Sequence, residues 1–438
     1  MYYTYIKLYK VVIKMARISK ELQELNKIFD EELKVDEENI ESIEIDKSFL
    51  LSLEENASYM SDVRLPEYTY HSLESILLVV IFGIMARCNT FVEIYLFMNK
   101  HVEWLKKHIR FESELPSLST IKRVIGMIIP SELEEVLNAS LKRYLYTNKT
   151  YYEDEDITIK DLKSMDGKTA NSSDRKTSKN GEISKTNAMS LLSVTEDICE
   201  ATEFISEKTN EIPTGVELLK RVNIENCIIV FDAMSTQTKT IEYIANNKGY
   251  YVAPVKGNQS TLEENISLFF EDSKNYKKEM KKNYLKINEK AHGTAETREY
   301  LFCNDIDWLY NKDEWKDIKS IGYAKRTYIN KSGKVVTDTR YYISNIDANK
   351  IQLLSNSIRG EWRIENGLHL YLDMVFLEDK NKCFLENSQK NLNLIRKFVL
   401  ALLKRYKIKT KLSMNSIRFN ISMDFENEVD NIIKDILV

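Results

Sequence analysis

Cys227-Ile228-Ile229-Val230-Phe231 is a run of five apolar residues closed by Asp232. A strand turns alternate side chains to opposite faces, so a run that is apolar at every position must be covered on both. Helices on both sides of a sheet meet that demand. Residues 213–222 before the run and 238–248 after it read as helices, and 250–255 reads as the next strand. Upstream, residues 157–165 read as a strand ending at Asp166, with further strands at 189–195 and 201–206. Residues 149–410 therefore call for an α/β fold.

Beyond residue 255 the pattern loosens. A helix over 261–272 leads into a lysine-rich segment, then strands over 295–302, 320–328 and 339–346, with Ser332-Gly333 as the turn before the last. Residues 348–369 and 387–406 read as helices, and residues 411–438 as a short tail. Residues 63–148 are helical in pattern: 71–87 after Pro66, a second helix capped by Asn89-Thr90 with Val92, Ile94, Tyr95, Trp104 and Leu105 on its apolar side, a short one after Pro116, and one from Glu132 to Leu145. This region is either a DNA-reading helical domain or a bundle that only packs on the rest. Residues 1–62 form a lead.

Composition matters at three points. The net charge of −4 argues against a nucleic-acid partner for the chain as a whole, but residues 30–56 hold eleven acidic residues against two basic ones, leaving the remainder at +5. That acidic stretch is a solvated lead or a partner-binding tail. The five cysteines are scattered with no CxxC, which argues against a structural zinc site and fits a reducing cytosol. The longest apolar run, 76–86, is far short of the ~20 residues of a spanning helix, so no membrane is expected.

Two aspartates thus stand at strand ends, Asp166 in SMDGKT and Asp232 in IVFDAM, where open α/β sheets place their ligands. Close carboxylates repel unless a cation lies between them, and hard divalent cations take oxygen ligands. Glu365 lies in the helix IRGEWRIENGLHLYLDMV; if it points inward it needs an ion-pair partner or a metal. The order strand–Asp, two strands, helix, strand–Asp, helix, strand, insertion, helix–Glu is that of a ribonuclease-H-like domain.

Eight segments make the likeness specific: MDGKT (165–169), EKTNEI (207–212), VFDAMSTQ (230–237), PVKGNQ (254–259), EKAHGTAETR (289–298), TRYYISNI (339–346), IRGEWRIENGLHLYLDMVFLED (358–379) and NLNLIRK (391–397). In this order and spacing the chain resembles the DDE transposases of bacterial insertion sequences, in the branch that includes the H-repeat-associated proteins, over residues 63–410. The resemblance implies a ribonuclease-H-like mixed sheet flanked by helices at 149–410, with a β-rich insertion at about 257–346 and an N-terminal helical domain at 63–148. It implies Asp166, Asp232 and Glu365 as a catalytic triad holding two Mg²⁺ ions, with Mn²⁺ as the alternative. It also implies cleavage at the ends of an insertion sequence and joining of the 3′-OH to target DNA, self-association on DNA, and a nucleoid setting. Family members commonly carry His at Glu361 and Trp at Leu370. A nuclease without strand transfer and an inactive DNA-binding remnant are the alternatives.

The candidate DNA contacts are Lys168, Arg175, Lys176, Lys256, Asn258, Arg298, Arg359 and His369. Cations of this kind hold the phosphate backbone without reading sequence. Residues 273–290, with seven Lys against two Glu, are a DNA grip or a solvated face. His292 and His369 assist proton transfer, bind phosphate, or are satisfied structural histidines.

Overall fold

The computed structural model describes residues 42–111, 114–176, 183–205, 211–272, 278, 281–291, 294–330, 332–380 and 387–437. The chain divides into two compact units, residues 145–401 and residues 1–144 together with 402–438.

The larger unit is built on one mixed sheet of nine strands: β1 (Asp161–Lys176), β2 (Ile183–Ser193), β3 (Ile198–Ile205), β4 (Cys227–Phe231), β5 (Tyr250–Val255), β6 (Tyr284–Ala291), β7 (Thr294–Cys303), β8 (Ser320–Ile329) and β9 (Val335–Ser344). Their spatial order is β3-β2-β1-β4-β5-β9-β8-β7-β6. β1, β4 and β5 run parallel, while β2 and β3 fold back antiparallel at one side. The first five strands make the ribonuclease-H-like sheet expected from the sequence.

The β-rich insertion does not stand apart as a module. β9 pairs antiparallel with the free edge of β5, from Tyr341 opposite Val255 to Ser344 opposite Val252, and β8, β7 and β6 continue outward. β6, YLKINEKA, lies within the lysine-rich stretch: Lys286, Glu289 and Lys290 interrupt its apolar residues, charges that suit the outer strand of a sheet.

The run 227–231 is buried at every position. Ile229 and Phe231 face the cluster that includes Leu218 and Leu219 of α1 (Glu211–Lys220), Ile241 and Ile244 of α2 (Thr238–Asn246), and Leu262 and Ile266 of α3 (Ser260–Glu271). Ile228 and Val230 face the other cluster, with Leu353, Leu354 and Ile358 of α4 (Ile351–Gly360). Each such side chain contributes ~1.5–3 kcal/mol when fully buried. The two-sided covering is why the segment can be a central strand and nothing else.

β1 corrects the boundary read from sequence. It does not end at Asp166 but runs ten residues further, paired with β2 through Ala170 opposite Thr186 and, after an irregularity, Lys176 opposite Ile183. What ends near Asp166 is the parallel ladder with β4, whose last pair is Met165 with Phe231. The extension, GKTANSSDRK, is polar and reads as loop.

In the helical unit, Leu73–Met85 is buried along nearly its whole length and is capped by Ser72. The expected second helix breaks into Phe91–Lys100, with a Thr90–Glu93 capping box, and Val102–His108. Val92 is exposed rather than on its apolar side. The stretch after residue 410 is not a loose tail: Met414–Met423 and Phe425–Leu437 are helices. Phe425 packs edge-on against Phe82, Phe97 and Trp104, and buried Arg418 donates to the Ile84 carbonyl at 2.8 Å. Among the described residues no helix is long and apolar enough to cross a membrane. Most of the N-terminal lead, His292 and much of residues 273–280 lie outside the described residues.

Candidate active site

Because Met165 and Phe231 are register partners, Asp166 and Asp232 are the next residues on adjacent parallel strands. Glu365 comes from the opposite direction, on the interrupted helix that begins with α4 and continues through Trp362–Ile364, a π-helical turn Glu365–His369, and Leu370–Met374. Two local features lay that helix against β1. A Cβ at Gly360 would fall 2.3 Å from Leu162 Cδ2, so only glycine permits this approach without displacing that side chain. Ser164 Oγ donates to the Glu361 carbonyl oxygen at 2.9 Å. A π turn holds one more residue than an α turn. Glu365 and His369, four residues apart, lie on one side of the helix, toward Asp166.

One ligand atom each from Asp166, Glu365 and His369 lie within 4.8 Å of one another. His369 Nδ1 is 3.5 Å from Asp166 Oδ2 and 4.0 Å from Glu365 Oε2. Asp232 is outside this group. Its Oδ1 accepts from the Ser235 N–H at 3.0 Å, capping the short turn after β4. Burial pushes the Asp166 carboxyl up to about 7; the Gly167 N–H opposes this, and the negative charges of Glu365 and Asp232 add to it. The acids thus repel one another without a counter-ion.

Glu361, one turn before Glu365, is a fourth carboxyl in this region. Burial pushes it up to about 7, partly offset by Arg340, whose Nη1 lies 3.9 Å from its carboxylate; Asp232 raises it further. A carboxyl raised in the folded state contributes stability that is fully present below its ordinary value and is lost as pH rises through about 7. Glu361→Gln is therefore expected to raise Tm by a few °C at pH 8 and leave it unchanged near pH 4. Equal shifts at both pH values in thermal unfolding would contradict this.

The candidate DNA-contacting side chains scatter. Lys168 turns inward, with its Nζ 2.6 Å from Asp373 Oδ1 and the side chain only 11% exposed. In that position it clasps the late helix to β1. Asn258 Nδ2 donates to the Ala233 carbonyl oxygen at 2.7 Å, tying the loop after β5 to the one after β4. Lys256, just before it, is exposed. Arg298 pairs with Glu289 and with the wholly buried side chain of Glu296, which Arg326 also binds. Arg359 pairs with Glu289 at 3.0 Å. Arg175 and Lys176 end β1, and their side chains are outside the described residues.

His369 is 5% exposed. Burial, together with the charges of Lys397 and Lys168, pushes it down to about 3, so the imidazole is neutral at pH 7. The buried ring faces Asp166 and Glu365. Arg340 was missed by sequence reading. Its guanidinium lies 5.3 Å from the centre of the Trp362 ring and meets Glu361. It lies in the segment TRYYISNI, but its placement beside Glu361 and Trp362 depends on the distant late helix.

A family model described as Transposase DDE domain matches residues 153–402, more than half of the chain. The chain belongs to the DDE transposase family. A second model, DDE_Tnp_1-associated, matches residues 56–139 in the helical unit of this transposase. Among similar proteins is the H repeat-associated putative transposase YhhI of Escherichia coli (strain K12), 30% identical over 363 residues, which cover 82% of this chain and 92% of that one. The E. coli K12 protein YbfL matches at the same identity and coverage. The transposase YncI of E. coli O157:H7 is 29% identical over 81% of this chain and 87% of its own length.

Proposed function

We propose that this transposase cleaves phosphodiester bonds at the ends of an insertion sequence and joins the freed 3′-OH to target DNA, with Asp166, Asp232 and Glu365 holding two Mg²⁺ ions. The observation that supports this most is that Asp166 of β1 and Glu365 of the late helix bring ligand atoms within 4.8 Å of one another, with Asp232 following the strand next to Asp166. The donor set fits the cations. It is rich in carboxylate oxygen, and Asp166 is pushed up by burial first, with the negative charges of Glu365 and Asp232 adding to it. A bound divalent pair activates an oxygen nucleophile and relieves charge on the leaving oxygen.

The chain's own residues do the rest. The charges of both Glu365 and Asp232 act on Asp166, so it would help to hold the cations together with either of them. Gly167 N–H holds Asp166 Oδ1 at 2.8 Å, and Ser235 N–H holds Asp232 Oδ1, which fixes both acids before substrate arrives. Lys256 and Arg340, whose charges act on Glu361, would hold the DNA backbone, with affinity that falls as salt rises. By the family resemblance, copies of the chain would self-associate on DNA to bring the two ends together.

The test is a strand-transfer assay. Purified protein is mixed with Mg²⁺, linear DNA ending in the inverted repeats that flank the gene, and supercoiled target. We expect 3′-OH ends and joined product that depend on the repeats and on Mg²⁺. Cut ends without joining would point to a nuclease, and binding without cutting to a remnant; either outcome sinks the proposal.

A further inference from the structure

His369 carries a second piece of chemistry at this site. Its Nδ1 stands 3.5 Å from Asp166 Oδ2 and 4.0 Å from Glu365 Oε2. Both separations exceed the roughly 2.7–3.2 Å of a good N–H···O hydrogen bond. They approach the spacing of atoms that share an ion: two ligands each about 2.1 Å from a cation stand about 3.0 Å apart at a right angle and about 3.4 Å apart at a tetrahedral one. Glu365 and His369, four residues apart, lie on the same side of the helix, so a small contraction brings all three donors onto one cation.

The far side of the ring supports the same assignment. His369 lines a small buried pocket with Lys168, Ser190, Gln389, Asn393 and Lys397. His369 Nε2, both side-chain polar atoms of Gln389 and Asn393 Oδ1 are buried there with no protein partner among the described residues. Gln389 is 1% exposed and Asn393 8%. Lys168 and Lys397 can only donate, so the acceptors on hand for a ring N–H are the amide oxygens of Gln389 and Asn393, the Ser190 hydroxyl and the Glu378 carboxylate. Metal-ligating histidines hold their second N–H on such an oxygen, directly or through water, and this fixes the tautomer. With the proton on Nε2, the Nδ1 lone pair faces two carboxylates, which is repulsive unless a cation lies between them.

We infer that His369 Nδ1 is a nitrogen ligand of the divalent cation held by Asp166 and Glu365, and that the pocket of Gln389 and Asn393 anchors its other ring nitrogen. This rests on the reading above that the acids bind a divalent cation. A nitrogen in the donor set favours Mn²⁺ over Mg²⁺, because imidazole suits transition metals while Mg²⁺ keeps to oxygen.

The test is spectroscopic and needs no turnover. Mn²⁺ is titrated into metal-free protein, and pulsed electron paramagnetic resonance reads nitrogen coupling to the bound ion. We expect ¹⁴N coupling in the native protein, replaced by the ¹⁵N pattern when histidine alone is ¹⁵N-labelled. The coupling is lost in His369→Gln and kept in His292→Gln, and His369→Gln weakens Mn²⁺ binding by ~10–100-fold. Bound Mn²⁺ without histidine coupling overturns the inference, as does coupling that survives in His369→Gln. If His369→Gln does not fold, the labelled native protein and His292→Gln decide: coupling missing from either overturns it. Should Asp166→Asn leave Mn²⁺ binding unchanged, the acid-site reading itself falls, and this inference with it.

Discussion

Asp166→Asn is expected to lower Mg²⁺-dependent DNA cleavage by roughly 10³-fold or more, the scale on which members of a cooperating catalytic set are lost. Asparagine keeps the shape and the contact from Gly167 N–H but removes the charge that a shared cation needs. The fold should gain from the change. In the folded chain the Asp166 carboxyl is pushed up to about 7, by burial first and then by Glu365 and Asp232. Its contribution to stability is present below the ordinary carboxylate value and lost as pH rises through about 7. In metal-free buffer at pH 8 the variant should therefore unfold at the same temperature as the native protein or a higher one. Added Mg²⁺ should stabilise only the native protein, since only that chain binds it strongly when folded. The measurements are cleavage rate and thermal unfolding with and without Mg²⁺. A variant that cleaves within tenfold of the native rate would remove Asp166 from the proposed mechanism.

Gly322 should be the position in the sheet least tolerant of substitution. It lies in β8 opposite Phe302 of β7. A Cβ there would stand 2.5 Å from the Phe302 ring and 2.6 Å from the Leu301 carbonyl oxygen. The ring could shift only at the expense of a core in which Phe302 is fully buried, and the carbonyl belongs to a strand held by neighbours on both sides. Overpacking of this kind costs ~1–3 kcal/mol and occasionally more. Gly322→Val should sit at the upper end and Gly322→Ala below it. Thermal unfolding should show a fall of several °C for Gly322→Ala, with the companion change Phe302→Leu recovering part of it, because residues in contact do not act additively. An unchanged Tm for Gly322→Val would mean that the two strands are not packed as described.

What the sequence disclosed follows from how local each signal was. The run 227–231 needs only its own five residues to announce a strand covered on both faces, and its place in the order strand–Asp, helix, strand–Asp led to the rest of the sheet. The extension of β1 escaped notice because its residues are polar and gain their strand character only from pairing with β2. β6 escaped because lysines interrupt its apolar positions, and the helices after residue 410 because their buried side chains belong to a core assembled from the other end of the chain. The same rule holds at the site. Asp232 follows a strand end and Asp166 the end of the parallel ladder, so both positions were readable. The partners of the basic residues were not: Lys168 meets Asp373 from 205 residues away and Arg359 meets Glu289 from 70. Nothing in a lysine's own neighbourhood reports that it faces inward.

The π turn gives the late helix two phases instead of one. Before it, α4 and Ile364 are set by their packing and by the Ser164 contact. After it, Leu372 is buried and Asp373 receives Lys168. A uniform α-helix advances about 100° per residue, so it could satisfy one of these registrations but would rotate the other out of place. The extra residue acts as a vernier between them. Losing a single residue between Glu365 and His369 would leave a better helix and a worse fit: Asp373 would swing away from Lys168, and His369 away from the acids, with no side chain at either place altered.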